Sequence, residues 1–146
     1  MAFEGGRQCH HVPLQGVERT QMGWEIHPDG LRDLLIGFNK TYASLPPIYI
    51  TENGMASDDK VVDGRVDDQQ RISFLKRHLA AVDSAIKAGV DVRGYFIWSL
   101  MDNFEWAFGY ERRFGVFHVD YETQKRTMKH SAELIAKFLK ERRARA

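Results

Sequence analysis

Two short apolar runs, residues 48–51 and 92–98, constrain the fold of this chain more than any other feature. The first run, Ile-Tyr-Ile-Thr, follows two prolines, ends at Glu52-Asn53-Gly54, and shows no polar alternation, which predicts a strand covered on both faces. Between the two runs lies a segment with apolar residues at helical spacing, namely Ile72, Leu75, Leu79, Val82 and Ile86. Gly89 is placed to end that helix. The order strand, helix, strand predicts parallel βα units.

Two further helices are predicted, one opening at Pro28 and one spanning residues 129–141. Their apolar stripes contain Leu31, Leu34, Leu35, Phe38 and Tyr42 in the first and Leu134, Ile135, Phe138 and Leu139 in the last. Residues 55–66 read as a polar loop, in which Asp58 and Asp59 are expected to lie in an exposed turn. Residues 115–120 predict a short extra strand or hairpin.

Two parallel strands cannot close a barrel, because the commonest parallel barrel needs eight strands and about 250 residues. The predicted fold class is therefore α/β, with two βα units and a preceding helix that form part of a larger sheet. Residues 1–18 show no clear periodicity and are predicted to be an irregular N-terminal segment. Residues 19–146 are predicted to form the sheet-containing part of one domain.

Charge and cysteine content narrow the classes of partner. A formal net charge of +1 with nearly balanced acids and bases gives no indication of nucleic acid binding. The sequence shows no signal peptide and no apolar run long enough for a membrane span, and it has one cysteine, so a cytoplasmic protein is expected. Cys9, His10 and His11 have no second ligand cluster downstream, so neither a metal site nor a cofactor is expected.

Both predicted strands end in residues whose side chains can take part in ligand binding or catalysis. Glu52 ends the first, and the second ends in an aromatic segment that contains Trp98, Glu105 and Trp106. Each feature alone is ambiguous, because a glutamate at a strand end is commonly a solvated loop residue and tryptophans commonly pack in cores. Together they fit a sugar ligand, whose C–H faces stack on indoles and whose hydroxyls bond to carboxylates. A carboxylate such as Glu52 is also the nucleophile of a retaining glycosidase.

The motifs in which these residues lie resemble the family 1 glycoside hydrolases, the β-glucosidase family. The resemblance rests on Ile-Thr-Glu-Asn-Gly at residues 50–54 and on the stretch from Tyr95 to Trp106. Shorter matches at residues 22–26, 114–116, 120–121 and 129–132 extend it over residues 19–139. It implies that the chain is similar to the last two βα units, with the preceding helix, of a (β/α)8 TIM barrel.

The resemblance also implies a role for each site residue. Glu52 would be the catalytic nucleophile, and Trp98 would form the floor beneath the sugar bound at the cleavage site. Glu105 and Trp106 would hydrogen-bond the outer hydroxyls of that sugar, and Phe114 would line the same subsite. The implied substrate is a β-glucoside or a related saccharide, and no metal or cofactor is implied.

One part of the family pattern is absent from these 146 residues. A retaining glycosidase needs a second carboxylate about 5–5.5 Å from the nucleophile as acid/base, and the family carries it in an Asn-Glu-Pro motif that does not occur here. The chain alone is therefore predicted to be inactive or very weak as a hydrolase. A non-catalytic sugar-binding module and a purely structural barrel fragment remain alternatives. Uncovered apolar faces predict self-association or binding of a complementary barrel fragment.

Overall fold

The computed structural model describes residues 15–144 and confirms the alternation of helices and parallel strands. Within these residues, three α-helices flank two main strands, and a short hairpin precedes the last helix. The elements are α1 (Pro28–Thr41), β1 (Ile48–Asn53), α2 (Gln69–Lys87), β2 (Val92–Ile97), β3 (Phe117–Val119), β4 (Arg126–Met128) and α3 (His130–Arg143). The segment between β2 and β3 contains one 3-10 turn, Trp106–Phe108.

β1 and β2 form a parallel pair, with Ile48 opposite Val92 and Asn53 opposite Ile97. Since α2 connects them, the two ends that carry the candidate chemistry lie at the same edge of the sheet. The expectation of two parallel βα units with a preceding helix is thus confirmed. The short strand or hairpin expected at residues 115–120 is present as β3, which pairs in antiparallel orientation with β4, a strand that the sequence did not predict.

The helix boundaries follow from local sequence. Pro28 occupies the first turn of α1, where its missing N–H does not interrupt the hydrogen-bonding ladder. α2 ends at the C-cap Ala88, and Gly89 follows with φ +94°, a left-handed conformation that glycine adopts without steric cost. The predicted helix start at Pro28 and the predicted helix end at Gly89 are therefore confirmed.

The core lies between the helices and one face of the sheet. One cluster packs α1 and α2 onto the strands and contains the buried residues Leu35, Val82, Ala85 and Val90, with Ile48 and Ile50 against it. A second cluster, near the carboxyl ends of the strands, is formed by Ile26, Met55, Phe74 and Leu75. The second cluster fixes the segment that follows β1 against α2.

The expectation that both faces of β1 are covered is wrong for this chain. Ile48 and Ile50 face the helices, whereas Tyr49 on β1 and Phe96 on β2 are more than half exposed. The helices cover one face only, and the described residues supply no opposing strands for the other. Parts of the predicted helix stripes are exposed as well, because no described element packs against them; these residues are Leu34, Phe38, Tyr42, Ile86, Phe138 and Leu139.

Of the N-terminal segment predicted to be irregular, only residues 15–18 are described, and they contain neither helix nor strand. Cys9, His10 and His11 lie outside the described residues. Across residues 15–144 no helix combines the length and the apolar character that a membrane span requires.

The buried His78 on α2 predicts that acid weakens the fold. Its Nδ1 donates to the Phe74 carbonyl at 2.8 Å, and its ring stacks on the Phe74 ring at 3.8 Å between centroids. Burial lowers the pKa of His78 below its ordinary value of 6.5, and the charge of Arg77 acts in the same direction. The unfolded chain therefore binds the proton more readily, so stability is full above pH 6.5 and falls as pH drops through that value.

Thermal unfolding between pH 7.5 and 5.5 measures this effect, and a lower Tm at the acid end is expected. Burial also lowers the pKa of His118, which adds a contribution of the same sign. A His78→Gln variant should accordingly show a shallower dependence rather than none. Equal slopes for the variant and the unmodified chain would rule out His78 as a contributor.

Candidate functional site

Glu52 and Trp98 lie at the carboxyl edge of the parallel pair. Glu52 is the penultimate residue of β1, and Trp98 follows the last residue of β2. The Trp98 N–H donates to the Asn53 carbonyl at 3.0 Å, which extends the ladder by one bond beyond the Asn53–Ile97 pair. The Glu52 side chain is exposed, and Trp98 is 39% exposed. The strand ends therefore place a carboxylate and an indole, both partly or fully accessible to solvent, at the same edge of the sheet.

Asn53 and Gly54 are held tightly against β2. The Tyr95 hydroxyl donates to Asn53 Oδ1 at 2.6 Å. Burial raises the pKa of Tyr95 above its ordinary value, so this donor stays protonated into alkaline solution. A Cβ on Gly54 would lie 1.7 Å from the Trp98 carbonyl oxygen, so only glycine permits this approach. The peptide bond between Trp98 and Ser99 is cis.

A Gly54→Ala substitution is expected to lower the free energy of unfolding by about 1–3 kcal/mol or more, because the added methyl group overlaps a backbone carbonyl. Gly37→Ala is the matched control. Gly37 lies inside α1, and a Cβ at that position would have no neighbouring atom within 4 Å. That control should instead gain about 0.5–1 kcal/mol from helix propensity. Denaturant unfolding of both variants checks the opposite signs, and two equal losses would contradict the close approach.

Glu105 and Trp106 lie further along the segment that follows β2. The Glu105 N–H donates to the Gly109 carbonyl at 2.6 Å and closes the short turn that contains Trp106. Glu105 is partly buried, whereas Trp106 is 82% exposed and has φ +43°. The structure therefore presents the Trp106 indole to solvent, with little contact to the rest of the described chain.

Phe114 is placed differently from the other candidates. It is 2% exposed, and its ring lies 6.0 Å from the Trp24 ring between centroids. The Ser99 N–H donates to its carbonyl at 3.2 Å, so Phe114 joins the segment after β2 to the residues that precede β3. Little of its ring is available for direct contact in this arrangement, and its role in a sugar subsite stays a prediction.

Behind the site lies a buried ion network that the sequence analysis missed. Its members are three carboxylates and three cations, Asp59, Asp68, Asp102, Arg71, Arg113 and Lys129. Asp59 is 8% exposed, so the prediction of an exposed turn is wrong for this residue. Asp59 faces inward because two cations bind it, and a buried carboxylate needs such partners. Arg71 lies four residues before Leu75 on the buried face of α2, and that basic residue on an apolar stripe was the available sequence signal.

Arg71 and Lys129 hold most of the network together. Arg71 Nη2 donates to Asp59 Oδ2 at 2.7 Å, and its Nη1 donates to Asp68 Oδ2 at 2.6 Å. Lys129 Nζ donates to Asp59 Oδ2 at 2.5 Å and to Asp102 Oδ1 at 2.8 Å. Burial alone would raise the pKa of Asp59, but the hydrogen bonds and charges of Arg71 and Lys129 outweigh burial and hold that pKa below its ordinary value.

The arrangement can supply a nucleophile and a stacking surface. Glu52 provides a carboxylate at the carboxyl edge of the strands, and Trp98 provides an indole at the same edge. Among the described residues no group of three or more His, Cys, Asp and Glu side chains is arranged to hold a metal ion. A carboxylate at such an edge can act as a nucleophile, and an accessible indole can stack on an apolar face of a ligand.

The chain matches one family of known proteins in sequence. The sequence profile described as glycosyl hydrolase family 1 matches residues 3–144, beyond both ends of the 19–139 stretch that carries the resemblance. A bifunctional β-D-glucosidase/β-D-fucosidase of Bifidobacterium breve is 52% identical over 97% of this chain. A 6-phospho-β-galactosidase of Streptococcus equi subsp. zooepidemicus is 51% identical over 80% of this chain.

A solved β-glucosidase also matches in three dimensions. The Thermotoga maritima enzyme in complex with methoxycarbonyl-substituted glucoimidazole superposes with a TM-score of 0.84 over 88% of this chain, at 49% identity. This chain covers 29% of that structure, and it spans 31% of the Bifidobacterium relative and 25% of the Streptococcus relative. The described residues therefore adopt the conformation of one part of a much larger barrel.

Proposed function

The chain belongs to glycosyl hydrolase family 1, and from this membership we propose that Glu52 is the nucleophile of a retaining β-glycosidase acting on β-glucosides. The single observation that carries the proposal is the position of Glu52, an exposed carboxylate at the carboxyl end of β1, on the same edge of the sheet as Trp98. That edge is where parallel barrels gather their functional groups. Supporting it, one relative is named a β-glucosidase/β-fucosidase, and a solved relative holds a glucoimidazole.

The proposed reaction proceeds in two displacements. The Glu52 carboxylate attacks the anomeric carbon, the bond to the aglycone oxygen breaks, and an acid elsewhere in the barrel protonates the departing oxygen. Water then attacks the same carbon, the ester bond to Glu52 breaks, and the acid/base residue takes the proton from that water. The Asn53–Trp98 hydrogen bond and the close approach of Gly54 hold Glu52 at a fixed position relative to the indole.

The sugar would be held by the residues that follow β2. Trp98 offers an apolar face to the C–H groups of the ring, and Glu105 and Trp106 offer an acceptor and an indole N–H donor for hydroxyls. A carboxylate at position 105 favours a neutral glycone, because a phosphorylated one would bring two anions together. We therefore propose a neutral β-glucoside, and place the substrate closer to that of the Bifidobacterium relative than to that of the 6-phospho-β-galactosidase.

These 146 residues contain no Asn-Glu-Pro motif, so the chain alone is proposed to be inactive or very weak in hydrolysis. General acid catalysis contributes about 10²–10⁴-fold, and no residue assigned here supplies it. Two alternatives follow from the same observation: a sugar-binding module that cuts no bond, and a structural part of a barrel that binds no sugar.

Covalent labelling tests the proposal without requiring the acid. The reagent is a 2-deoxy-2-fluoro-β-glucoside whose dinitrophenolate leaving group departs with little protonation. A competent Glu52 should therefore form a stable glycosyl ester, and mass spectrometry should place it on that residue. Glu52→Gln should abolish the label, and Glu111→Gln, which alters another exposed carboxylate, should leave it intact. An unlabelled chain whose tryptophan fluorescence still responds to glucosides would favour the binding module. A chain that shows neither labelling nor a fluorescence response would favour the structural fragment.

The open faces of the chain support a proposal about partners. Tyr49 and Phe96 on the sheet and Leu34, Phe38 and Leu139 on the helices are exposed apolar residues, and in the described residues each main strand has one paired edge. We propose that the chain associates with itself or with a complementary barrel fragment that covers these surfaces. Light scattering measures self-association, and a well-ordered monomer at high concentration would contradict it.

A further inference from the structure

We propose that Lys129 is a positioning residue that fixes the segment carrying Glu52 against the segment carrying Trp98 and Glu105. Lys129 is fully buried at the N-cap of α3, outside both segments. Its ammonium reaches Asp59, seven residues after Glu52, and Asp102, midway between Trp98 and Glu105. One cation thus joins the segment after β1 to the segment after β2.

Asp102 also holds the backbone around β3 in place through hydrogen bonds. Its carboxylate accepts from the Gly115 N–H at 2.9 Å, from the Val119 N–H at 3.3 Å and from Arg113 Nη1 at 2.7 Å. The Asp102 N–H donates to the Phe117 carbonyl at 3.0 Å. The segment after β2 is therefore tied to the β3 region through Asp102, and Lys129 ties that assembly to α3 and to Asp59.

Asp59 holds the segment after β1 in place at the other end of the Lys129 bridge. It accepts from the Ser57 hydroxyl at 2.8 Å and from Arg71, so the turn of residues 57–59 is rigidly attached to α2. The Ser57 N–H donates to the Arg113 carbonyl at 3.2 Å, which brings the two segments into direct contact beside the bridge. Because charged hydrogen bonds in a buried site are strong and directional, the bridge Asp59–Lys129–Asp102 sets the relative position of the two segments.

This inference deepens the proposed function, and it rests on that function only for its catalytic consequence. Lys129→Met removes the ammonium but leaves Asp59 bound to Arg71 and Asp102 bound to Arg113, so each carboxylate keeps a cation and the chain should still fold. Ser131→Ala is the matched control, because Ser131 is also buried at the start of α3 but its hydroxyl donates to Asp68 instead. Asp59→Asn is a second variant that breaks the same bridge from its other end.

Hydrogen exchange of the unmodified 146-residue chain and the three variants is the first measurement. Lys129→Met and Asp59→Asn should speed amide exchange in residues 55–59 and 99–119 by about tenfold or more, the effect of losing a charged hydrogen bond, with α1 unchanged. Ser131→Ala should leave residues 99–119 as they are. Equal acceleration in α1 and the two segments would show a purely global loss of stability and overturn the proposal, as would no acceleration in either bridge variant.

The rate of Glu52 labelling at saturating fluoroglucoside, corrected for the folded fraction, is the second measurement. Lys129→Met should lower this rate, whereas Ser131→Ala should not. If the unmodified chain is not labelled at all, the nucleophile proposal fails, and the exchange experiment still decides the role of Lys129. If the unmodified chain is labelled and Lys129→Met matches it in both rate and exchange, the positioning role fails while the nucleophile proposal stands.

Discussion

Hydrolysis of an aryl β-glucoside by the 146-residue chain is expected to rise by about 10²–10⁴-fold when a polypeptide carrying the missing acid/base glutamate is co-expressed with it. A suitable polypeptide is the part of the Thermotoga maritima β-glucosidase that precedes the segment matched by this chain. The two proteins are 49% identical over the matched region, so the surfaces that meet should be compatible. Purified complex and isolated chain are compared by their kcat/KM.

Two control variants test whether the expected rise in kcat/KM comes from the acid/base glutamate and from Glu52. Replacing the glutamate of the added polypeptide's Asn-Glu-Pro motif by glutamine should remove most of it, because the acid/base function is lost. Glu52→Gln in this chain should remove it as well, since the added polypeptide ends before the corresponding nucleophile. A stable complex that shows no gain over the isolated chain would mean that Glu52 does not reach the anomeric carbon, and it would refute the assignment of the nucleophile.

Arg71→Met is expected to lower the free energy of unfolding by about 3–5 kcal/mol, the cost of leaving buried carboxylates without their cation. Arg71 is 1% exposed, binds both Asp59 and Asp68, and donates to the Arg113 carbonyl at 2.7 Å. The loss is large beside the 5–15 kcal/mol that holds ordinary domains together. Urea unfolding monitored by circular dichroism measures it.

Arg77→Met is the matched control, because Arg77 lies on the same helix and pairs with Glu18 on the surface. An exposed pair contributes about 0–1 kcal/mol, so the two arginine variants should differ severalfold. Adding Asp68→Asn to Arg71→Met should recover part of the loss, since one of the stranded charges is then removed. Equal effects of the two arginine substitutions would show that the buried network adds little to stability.

Local sequence was sufficient to place the elements. Pro28, Gly89 and the spacing of apolar residues on α2 located two helix boundaries and a buried face, because capping and periodicity act over a few residues. The parallel pairing of β1 and β2 followed from the helix between them, since a crossover connection of that length favours parallel strands. Glu52 and Trp98 were expected at one edge for the same reason, and the register places them there.

Burial could not be read from the same signals. Tyr49 and Phe96 look like core residues in the sequence, but a side chain is buried only if another element covers it, and the described residues cover one face of the sheet. Asp59 looks like a loop carboxylate, but cations from α2 and from the start of α3, 12 and 70 residues further along the chain, surround it. Pairings at such separations leave no periodic trace in sequence.

The order of the elements, the family, and the two strand ends that carry a carboxylate and an indole could be read from the residues alone, because they depend on short motifs and on spacing along the chain. The buried ion network of Asp59, Asp102, Arg71 and Lys129, the inward packing of Phe114 and the exposure of Trp106 became visible only in the folded chain. Burial and charge pairing depend on distances through space, and those distances exist only once the helices and strands have packed together.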